Sequence, residues 1–404
     1  NVFTVYDGTR FQRMLYSWSM EQDVTYLASG DYEASSVTDS TVYDYDGGQY
    51  LVRSTNLYGK VTEPRERDYS VQPPAAGAKV ISFTEYDGTR FQRMVYTLTM
   101  SEGVEFEISG EYSGKIPATD IDKVADSTVY DYGTSQYLKT SVNLYGRVIS
   151  AADATGKAVI SFTKYDGTRF QKMEYTLNMA EGILYDPDGL YDTYDEKTEE
   201  FTDVADSTIY DYGQSQYLKT STSFYGRVTS EAQAVTDGDL VTSFTRYDGT
   251  RLQKMLYTLN MAEDVVYDSE GKYDTTDEIT GAYTDVADST LYFYGTGRYL
   301  RSSTSLYGRV TNSTEASVEG VSVISFTDYD DTRFQRMEYT LNLSENTAYD
   351  ATGSYEGSVA DSTIYNYKVN EGTEYEYLSQ YLRKSTSLYG KVTSAELAEG
   401  KDVI

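Results

Sequence analysis

Three short motifs recur five times in the same order along this 404-residue chain, and they restrict its fold to a repeat array. The motif YDGTRFQRM begins at Tyr6, and its copies follow at steps of 80, 79, 82 and 82 residues. The motif DSTVYDY begins first at Asp39, and LYG with a basic residue and Val follows it. Such repetition predicts one structural unit per repeat, with neighbouring units burying each other's edges.

The motifs divide the chain into five repeats. The predicted boundaries are 1–79, 80–158, 159–240, 241–322 and 323–402. Val403 and Ile404 match the first two residues of the second and third repeats, so we interpret them as the start of a sixth repeat or as a strand that completes a neighbouring copy. The fifth repeat also carries an insertion, Lys368 to Leu378, in its second turn.

The first half of each repeat has the pattern of a β-hairpin. In Met173–Met179, apolar residues alternate with Glu174, Thr176 and Asn178, which predicts a strand with one buried face. An Asp-Gly pair such as Asp87-Gly88 precedes each such strand in four repeats and favours a tight turn, because Gly tolerates positive φ. In the fifth repeat Asp331 replaces this Gly, so we expect a strained or differently shaped turn.

The second half predicts another hairpin. In the second repeat we expect a strand over Ser127–Tyr132, a turn at Gly133–Ser135 and a long return strand over Tyr137–Val148. The glycine of the third motif would mark a bulge or bend in that strand. The glycines assigned to turns are Gly8, Gly88, Gly167, Gly249, Gly59, Gly146, Gly226, Gly308 and Gly390. The predicted fold class is therefore all-β, a tandem array of antiparallel hairpin repeats stacked into a continuous solenoid-like ribbon or tube.

Composition narrows the function. The chain has 64 Asp and Glu against 34 Lys and Arg, a net charge of −30, so it would repel nucleic acid. It has 44 Tyr, which favour strands, and neither Cys nor His, which removes thiol nucleophiles and the commonest general base. No apolar run approaches the 18 residues of a membrane-spanning helix. We expect no catalytic residues, no cofactor and no enzyme activity.

The remaining candidate sites each have a plain structural alternative. Asp186, Asp188 and Asp192 have the oxygen ligands that Ca²⁺ prefers, although a solvated acidic loop is the simpler interpretation. Asn312 and Asn342 lie in N-glycosylation sequons, and exposed Ser and Thr could carry O-linked sugars. The repeated cations would form an anion-binding stripe or, as we favour, pair across strands with the acidic surplus. They are Arg90, Arg93, Arg169, Lys172, Arg251 and Lys254.

The Tyr-Asp pairs also permit two interpretations. They could bind sugars, or the Tyr could pack its ring while Asp hydrogen-bonds around a turn, which we favour. Tyr86-Asp87-Gly88-Thr89-Arg90-Phe91 together with Leu-Tyr-Gly-Arg-Val resembles the YD repeats of Rhs and teneurin-type surface proteins. That resemblance implies hairpins wound into a β-shell or continuous β-ribbon at the cell exterior.

We therefore expect a structural subunit or segment of an extracellular filament, sheath or surface fibre. We expect this protein to be acidic, rich in tyrosine and glycosylated. Its partners would be copies of itself arranged head to tail, because a contact of that kind builds an open filament when the rotation does not close. The alternative is a cell-surface adhesin or carbohydrate-binding stalk that contacts glycans through its variable loops.

Overall fold

The computed structural model describes most of the chain. The described residues are 2–20, 32–45, 47–61, 78–107, 109–116, 121–195, 200–276, 283–295, 297–332, 335–355, 357–369, 377–378, 382, 384–394, 397–398 and 401–403. The chain forms two compact units. The first comprises Asn1–Lys172, Asn178–Val204 and Asn370–Leu378, and the second comprises Met173–Leu177, Ala205–Val369 and Ser379–Ile404.

Strands dominate both units. The strands up to residue 201 are β1 Val2–Tyr6, β2 Met14–Met20, β3 Val37–Asp44, β4 Arg53–Tyr58, β5 Val80–Tyr86, β6 Met94–Met100, β7 Val124–Asp131, β8 Thr140–Tyr145, β9 Val159–Tyr165, β10 Met173–Met179, β11 Tyr194–Asp195 and β12 Glu200–Phe201. Those that follow are β13 Val204–Asp211, β14 Thr220–Tyr225, β15 Val241–Tyr247, β16 Met255–Met261, β17 Val286–Phe293, β18 Ser302–Tyr307, β19 Val323–Tyr329, β20 Met337–Leu343, β21 Val359–Asn366, β22 Lys368–Val369, β23 Tyr377–Leu378 and β24 Lys384–Tyr389.

Each unit is an antiparallel meander. In the first unit every consecutive pair from β1–β2 to β8–β9 is antiparallel. In the second unit the same holds from β13–β14 to β20–β21, and β21 then pairs with β24. The predicted all-β tandem array of antiparallel hairpin repeats is therefore confirmed. The insertion in the fifth repeat contributes β22 and β23, and its middle, 370–376, lies outside the described residues.

The predicted alternation places one buried row on each strand. Leu98 on β6 lies between Phe83 on β5 and Ser127 on β7, and Ser127 in turn faces Leu144 on β8. Equivalent fully buried side chains on other strands are Leu57, Leu177, Phe224, Leu259, Leu306, Leu341 and Leu388. Burial of such a side chain contributes about 1.5–3 kcal/mol, so this row is the main source of cohesion between neighbouring strands.

Three short helices, which the sequence analysis did not predict, follow the third motif in the second, third and fourth repeats. They are α1 Ala151–Ala154, α2 Glu231–Asp237 and α3 Ser313–Glu319, and a 3-10 turn lies at Ala34–Ser36. The side chains of Ser150, Ser230 and Asn312 cap their N-termini by accepting a backbone N–H three residues later. Each helix buries one alanine, Ala154, Ala234 or Ala316, completely.

The return strand of the second hairpin is shorter than predicted. Instead of Tyr137–Val148, β8 spans only Thr140–Tyr145. Gly146 lies just beyond its end in a bend at φ +71°, and the bulge falls earlier, between Asn143 and Leu144. The strand ends there because Ser127 Oγ donates to the Gly146 carbonyl and accepts from the Val148 N–H, so these groups leave the sheet ladder.

Candidate functional site

The meander gives each unit two edges with different chemistry. The turns within hairpins lie on one edge, which we call the hairpin edge. In the first unit its described residues are 7–13, 45, 47–52, 87–93, 132–139 and 166–172, and in the second they are 212–219, 248–254, 294–295, 297–301, 330–332 and 335–336. The longer connections between hairpins, including the three helices, lie on the opposite edge, which we call the loop edge. The predicted calcium ligands, cations and turn glycines fall on these edges together with Asn312, whereas Asn342 lies on β20.

The Asp of the Tyr-Asp pair organises each turn of the first hairpin. Asp87 Oδ1 accepts the backbone N–H groups of Thr89 and Arg93, and Oδ2 accepts the Thr89 hydroxyl and Arg93 Nε at 2.9 and 2.7 Å. Burial raises the pKa of Asp87, but these hydrogen bonds outweigh it and hold the pKa below its usual value. The preceding Tyr86 places its hydroxyl 3.3 Å from Ser54 Oγ. Both groups are therefore occupied within the fold.

The second cation of the first motif connects the two hairpins of a repeat. Arg93 pairs with Asp87 in its own turn, its Nη1 donates to the Ser135 carbonyl at 3.0 Å, and its guanidinium lies 5.5 Å from the Tyr132 ring centre. Lys254 reaches the Gly297 carbonyl at 2.7 Å in the same way. The expectation that such cations pair across strands is wrong for Arg93, because its acidic partner lies six residues away in the same turn.

The first cation of the motif behaves differently. The Arg90 guanidinium lies 4.7 Å from the ring centre of Phe91, which is 45% exposed. Arg169 and Phe170 repeat this arrangement at 4.6 Å, and Arg10 lies over Phe11 at 4.7 Å. Within the described ranges none of these three arginines forms an ion pair. The hairpin edge thus displays an exposed arginine-aromatic pair in each of the first three repeats.

A glutamine in the same turn ties neighbouring repeats together. Gln171 Oε1 of the third repeat accepts the Leu138 N–H of the second repeat at 3.3 Å. Gln253 with Leu218 and Gln335 with Leu300 repeat this bond at 3.2 and 3.3 Å. These glutamines have φ near +47°, where a non-glycine residue is strained, so the geometry is retained at a conformational cost.

The second and third motifs meet at a buried serine. Ser289 Oγ donates to the Gly308 carbonyl and accepts the Val310 N–H at 2.8 Å. Ser40, Ser127 and Ser362 make the same two bonds in other repeats. The glycines assigned to turns all have φ between +63° and +71°, and Asp331 adopts +49° in place of glycine. The fifth turn therefore keeps left-handed backbone, at a cost that an Asp pays and a Gly does not.

A fourth repeated motif lies on the loop edge and was missed from the sequence. It has the form Asp-x-x-Gly-x-Tyr, and it begins at Asp186, Asp268 and Asp350, with Glu107 at the same place in the second repeat. Asp186 Oδ1 accepts the Asp188 N–H, and Oδ2 accepts the Leu190 N–H. Burial raises the pKa of Asp268, but the N–H groups of the residues that follow it outweigh this and lower the pKa. Asp350 accepts the Thr352 N–H, which lowers its pKa in the same way.

The tyrosine and glycine of this loop pack on the sheet. Tyr191 is buried with its ring centre 5.7 Å from that of Phe162, and Gly189 lies so close that an added Cβ would be 2.8 Å from the Phe162 ring. Burial raises the pKa of Tyr191 to about 12. The basic residue of the third motif holds the loop from the other side, because Arg309 Nε donates to the Lys272 carbonyl at 2.8 Å.

The candidate calcium ligands do not form a metal cluster. Asp186 directs both carboxylate oxygens at its own loop's N–H groups, whereas Asp188 and Asp192 are exposed. Within the part of the chain that is described, no three acidic side chains are close enough together to hold a metal ion. The structure therefore gives Asp186 a turn-forming role.

The two sequon asparagines are exposed and hydrogen-bonded. Asn312 caps α3, and its Nδ2 lies 3.4 Å from Glu315 Oε2. Asn342, on the polar face of β20, donates from Nδ2 to Asp361 Oδ1 at 2.7 Å. A glycan on either nitrogen would leave it one N–H to donate.

Val403, the predicted start of a sixth repeat, lies beside β24. Val403 forms a bridge with Leu388 on β24, and the Tyr389 N–H donates to the Asp402 carbonyl at 3.3 Å. The same two contacts open the third repeat, where Leu144 pairs with Val159 and the Tyr145 N–H donates to the Ala158 carbonyl. Val403 thus lies where a following repeat would begin.

No family model and no curated protein matches this chain. Among solved structures it is similar to a chain of the TcdB2-TccC3-TEV crystal structure, with 11% identity, a TM-score of 0.27 and coverage of 93% of this chain and 17% of that one. It is also similar to a porin-like protein from Bacteroides uniformis, with 10% identity, a TM-score of 0.15 and coverage of 89% and 93%. TM-scores this low establish neither a common fold nor a function.

The first of these structures is far longer than this chain, which spans only 17% of it.

Within its described ranges the chain contains no helix that is long and apolar enough to cross a bilayer.

Proposed function

We propose that the chain is a non-catalytic segment of an extracellular filament, sheath or surface fibre, and that its copies associate head to tail through their edge strands. The observation that carries this proposal is the boundary between repeats. The pairs β4–β5, β8–β9, β14–β15 and β18–β19 each cross such a boundary, and they are antiparallel like the pairs inside a repeat. An array joined in this way can accept a further strand at its edge.

The edge of β24 supports the proposal because β24 matches the internal strands β8 and β18 in sequence and in its pairing with the strand before it. Ser141 on β8 and Ser303 on β18 are buried by the strand that follows them, at 8% exposure each. The equivalent residue on β24, Ser385, is exposed. Covering it requires a strand in the position that β9 occupies beside β8.

The backbone direction identifies which groups would bind that strand. The Gly390 N–H donates to the Ala360 carbonyl on the β21 side. The backbone N–H groups of the even-numbered residues of β24 therefore point towards β21. The Tyr389 N–H faces Asp402 on the other side, and Ser385 and Ser387 share that direction because groups alternate along a strand. The outer N–H groups of Ser385 and Ser387 are therefore the donors that a second copy would meet.

A proline at this edge tests the proposal. Ser385→Pro removes one outward N–H and blocks pairing, whereas Ser385→Ala keeps it. Negative-stain images and sedimentation velocity over a range of concentrations should show linear assemblies for the native chain and for Ser385→Ala, and a loss of length for Ser385→Pro. Compact native monomers at high concentration, or equal growth of the proline variant, would refute head-to-tail assembly.

A second candidate, a carbohydrate-binding stalk, is favoured by one feature of the loop edge. The tyrosine that precedes the third-motif glycine is strongly exposed at Tyr145, Tyr225, Tyr307 and Tyr389, with exposures of 61, 63, 55 and 61%. An exposed ring offers an apolar face and a hydroxyl, which suit a sugar. A glycan array with the native chain and a variant in which all four tyrosines are replaced by Ala tests it, because binding that survives the four substitutions would exclude these rings.

Glycosylation and location at the cell exterior belong to the same proposal. Mass spectrometry of the protein from its native source should find glycans at Asn312 or Asn342. Unmodified peptides at both positions would remove glycosylation from the proposal without affecting assembly.

A further inference from the structure

We propose that the hairpin edge of the first unit docks side by side on the loop edge of a second copy of this chain. The contact is lateral, so it is independent of the strand pairing proposed for head-to-tail assembly. Its anchors are the arginine-aromatic pairs Arg10-Phe11, Arg90-Phe91 and Arg169-Phe170. Each pair presents an exposed ring and a guanidinium without a carboxylate partner among the described residues.

The first argument compares the two cations of the same turn. Arg93 is held by Asp87 at 2.7 Å and serves the fold. Arg90, three residues earlier, makes no such bond, although the chain has 64 acidic residues against 34 basic ones. A position that stays unpaired in three repeats of so acidic a chain is available to a partner of negative charge. The exposed Phe beside it adds apolar area of the kind found at the centre of interfaces.

The second argument is that charge is segregated between the two edges. Within the first unit, the described residues of the hairpin edge include seven Lys and Arg against three Asp. The described parts of its loop edge contain 14 Asp and Glu against six Lys and Arg; these parts are 32–36, 59–61, 78–79, 101–107, 109–116, 121–123, 146–158, 180–195 and 200–203. Glu181, Asp188 and Asp192 are exposed members of this set. A second copy therefore carries the surface that complements the hairpin edge.

The third argument is that the two edges share one period. Arginine-aromatic pairs recur every four strands, which is about 19 Å at a strand spacing of about 4.8 Å. The acidic loops recur with the same four-strand period because they belong to the same repeats. Each arginine that meets an acidic loop therefore brings the next arginine opposite the next loop. An unrelated polyanion would need a matching period.

Cysteine cross-linking tests the orientation of this contact. The chain contains no Cys, so Phe91→Cys and Asp188→Cys each introduce a single thiol. When the two variants are mixed and mildly oxidised, the mixed disulfide dimer should exceed the statistical yield, and about 1 M salt should abolish the excess. Leu256→Cys, an exposed position on a sheet strand, replaces Phe91→Cys in the control and should give no excess with Asp188→Cys.

A charge series measures the strength of the contact. Arg90→Gln/Arg169→Gln should weaken lateral dimerisation about two- to thirtyfold, as expected for two surface ion pairs. The control Lys157→Gln/Lys272→Gln removes the same charge from the loop edge and should not weaken it. The proposal is overturned by symmetric dimers alone, by yields equal to the Leu256 control, or by salt-independent association. It is also overturned if heparin binds the hairpin edge while no lateral dimer forms. In a Ser385→Pro background the mixed dimer should persist, which separates this contact from head-to-tail pairing.

Discussion

Replacing Gly189 by alanine should be much more destabilising than replacing another glycine seven residues earlier. Gly189 has φ +65°, and its added Cβ would lie 2.8 Å from a ring carbon of Phe162. The left-handed conformation costs about 1–2 kcal/mol. The contact with a packed ring adds about 1–3 kcal/mol of overpacking. The sum is about 2–5 kcal/mol.

Gly182→Ala is the matched control. Gly182 has φ +81° with nothing within 4 Å of its added Cβ, so only the conformational cost of about 1–2 kcal/mol remains. Hydrogen exchange at the Leu190 and Tyr191 amides gives the local free energy of opening, because both donate to Asp186. A local measurement is preferable because repeat arrays do not always unfold in one step.

A second-site change separates the ring contact from general damage. Phe162→Leu shortens the side chain that the alanine meets, so it should offset part of the cost of Gly189→Ala. Residues in contact couple by about 0.5–3 kcal/mol in such a cycle. The reasoning fails if Gly189→Ala and Gly182→Ala cost the same within about 0.5 kcal/mol. It also fails if the effects of Gly189→Ala and Phe162→Leu are additive.

Three further predictions concern polar groups that form hydrogen bonds within the fold. Ser289→Ala should destabilise the fold by about 1–3 kcal/mol and speed hydrogen exchange of the Val310 N–H, because this N–H loses its acceptor. The control Ser317→Ala, at an exposed position, should change little. Equal exchange of the Val310 N–H in both variants would contradict this. Burial would raise the pKa of Asp7, but hydrogen bonds lower it to about 2. The contribution of Asp7 to stability is therefore present above about pH 4 and is lost as the pH falls towards 2. A carboxyl NMR titration with a midpoint near 3.9 would disprove this. Burial raises the pKa of Tyr191 to about 12. The unfolded chain therefore loses the phenolic proton first, and stability falls as the pH rises from about 10 to 12. Tyr191→Phe should remove that part of the alkaline decline, and a phenolate midpoint near 10 by ultraviolet absorbance would contradict the prediction.

The hairpin strands could be predicted because their signal is local. In Met173–Met179 apolar and polar residues alternate, and the strand occupies those seven residues. The long return strand could not be delimited in the same way. Its pattern continues past Tyr145, but the buried Ser127 withdraws Gly146 and Val148 from the ladder, and that contact joins positions about twenty residues apart.

The loop motif and the helices were missed for different reasons. The Asp-x-x-Gly-x-Tyr motif has different residues between its fixed positions, and the second repeat uses Glu107 instead of Asp. The helices have only four to seven residues, too few for an amphipathic period. Their signals were nevertheless present, because Ser230 with Gln233 forms a capping pair and Gly238 ends the helix in the left-handed conformation.

The order of the strands has a consequence for how the protein is made and how it can change. Because each strand pairs with the strands next to it in the chain, the segments that must meet are close in sequence, which favours fast folding. A repeat leaving the ribosome finds its partner already in place, so folding can proceed from the N-terminal side as synthesis continues. A duplicated module of about eighty residues can enter such a meander without rethreading any strand, so the length of the array is free to vary during evolution.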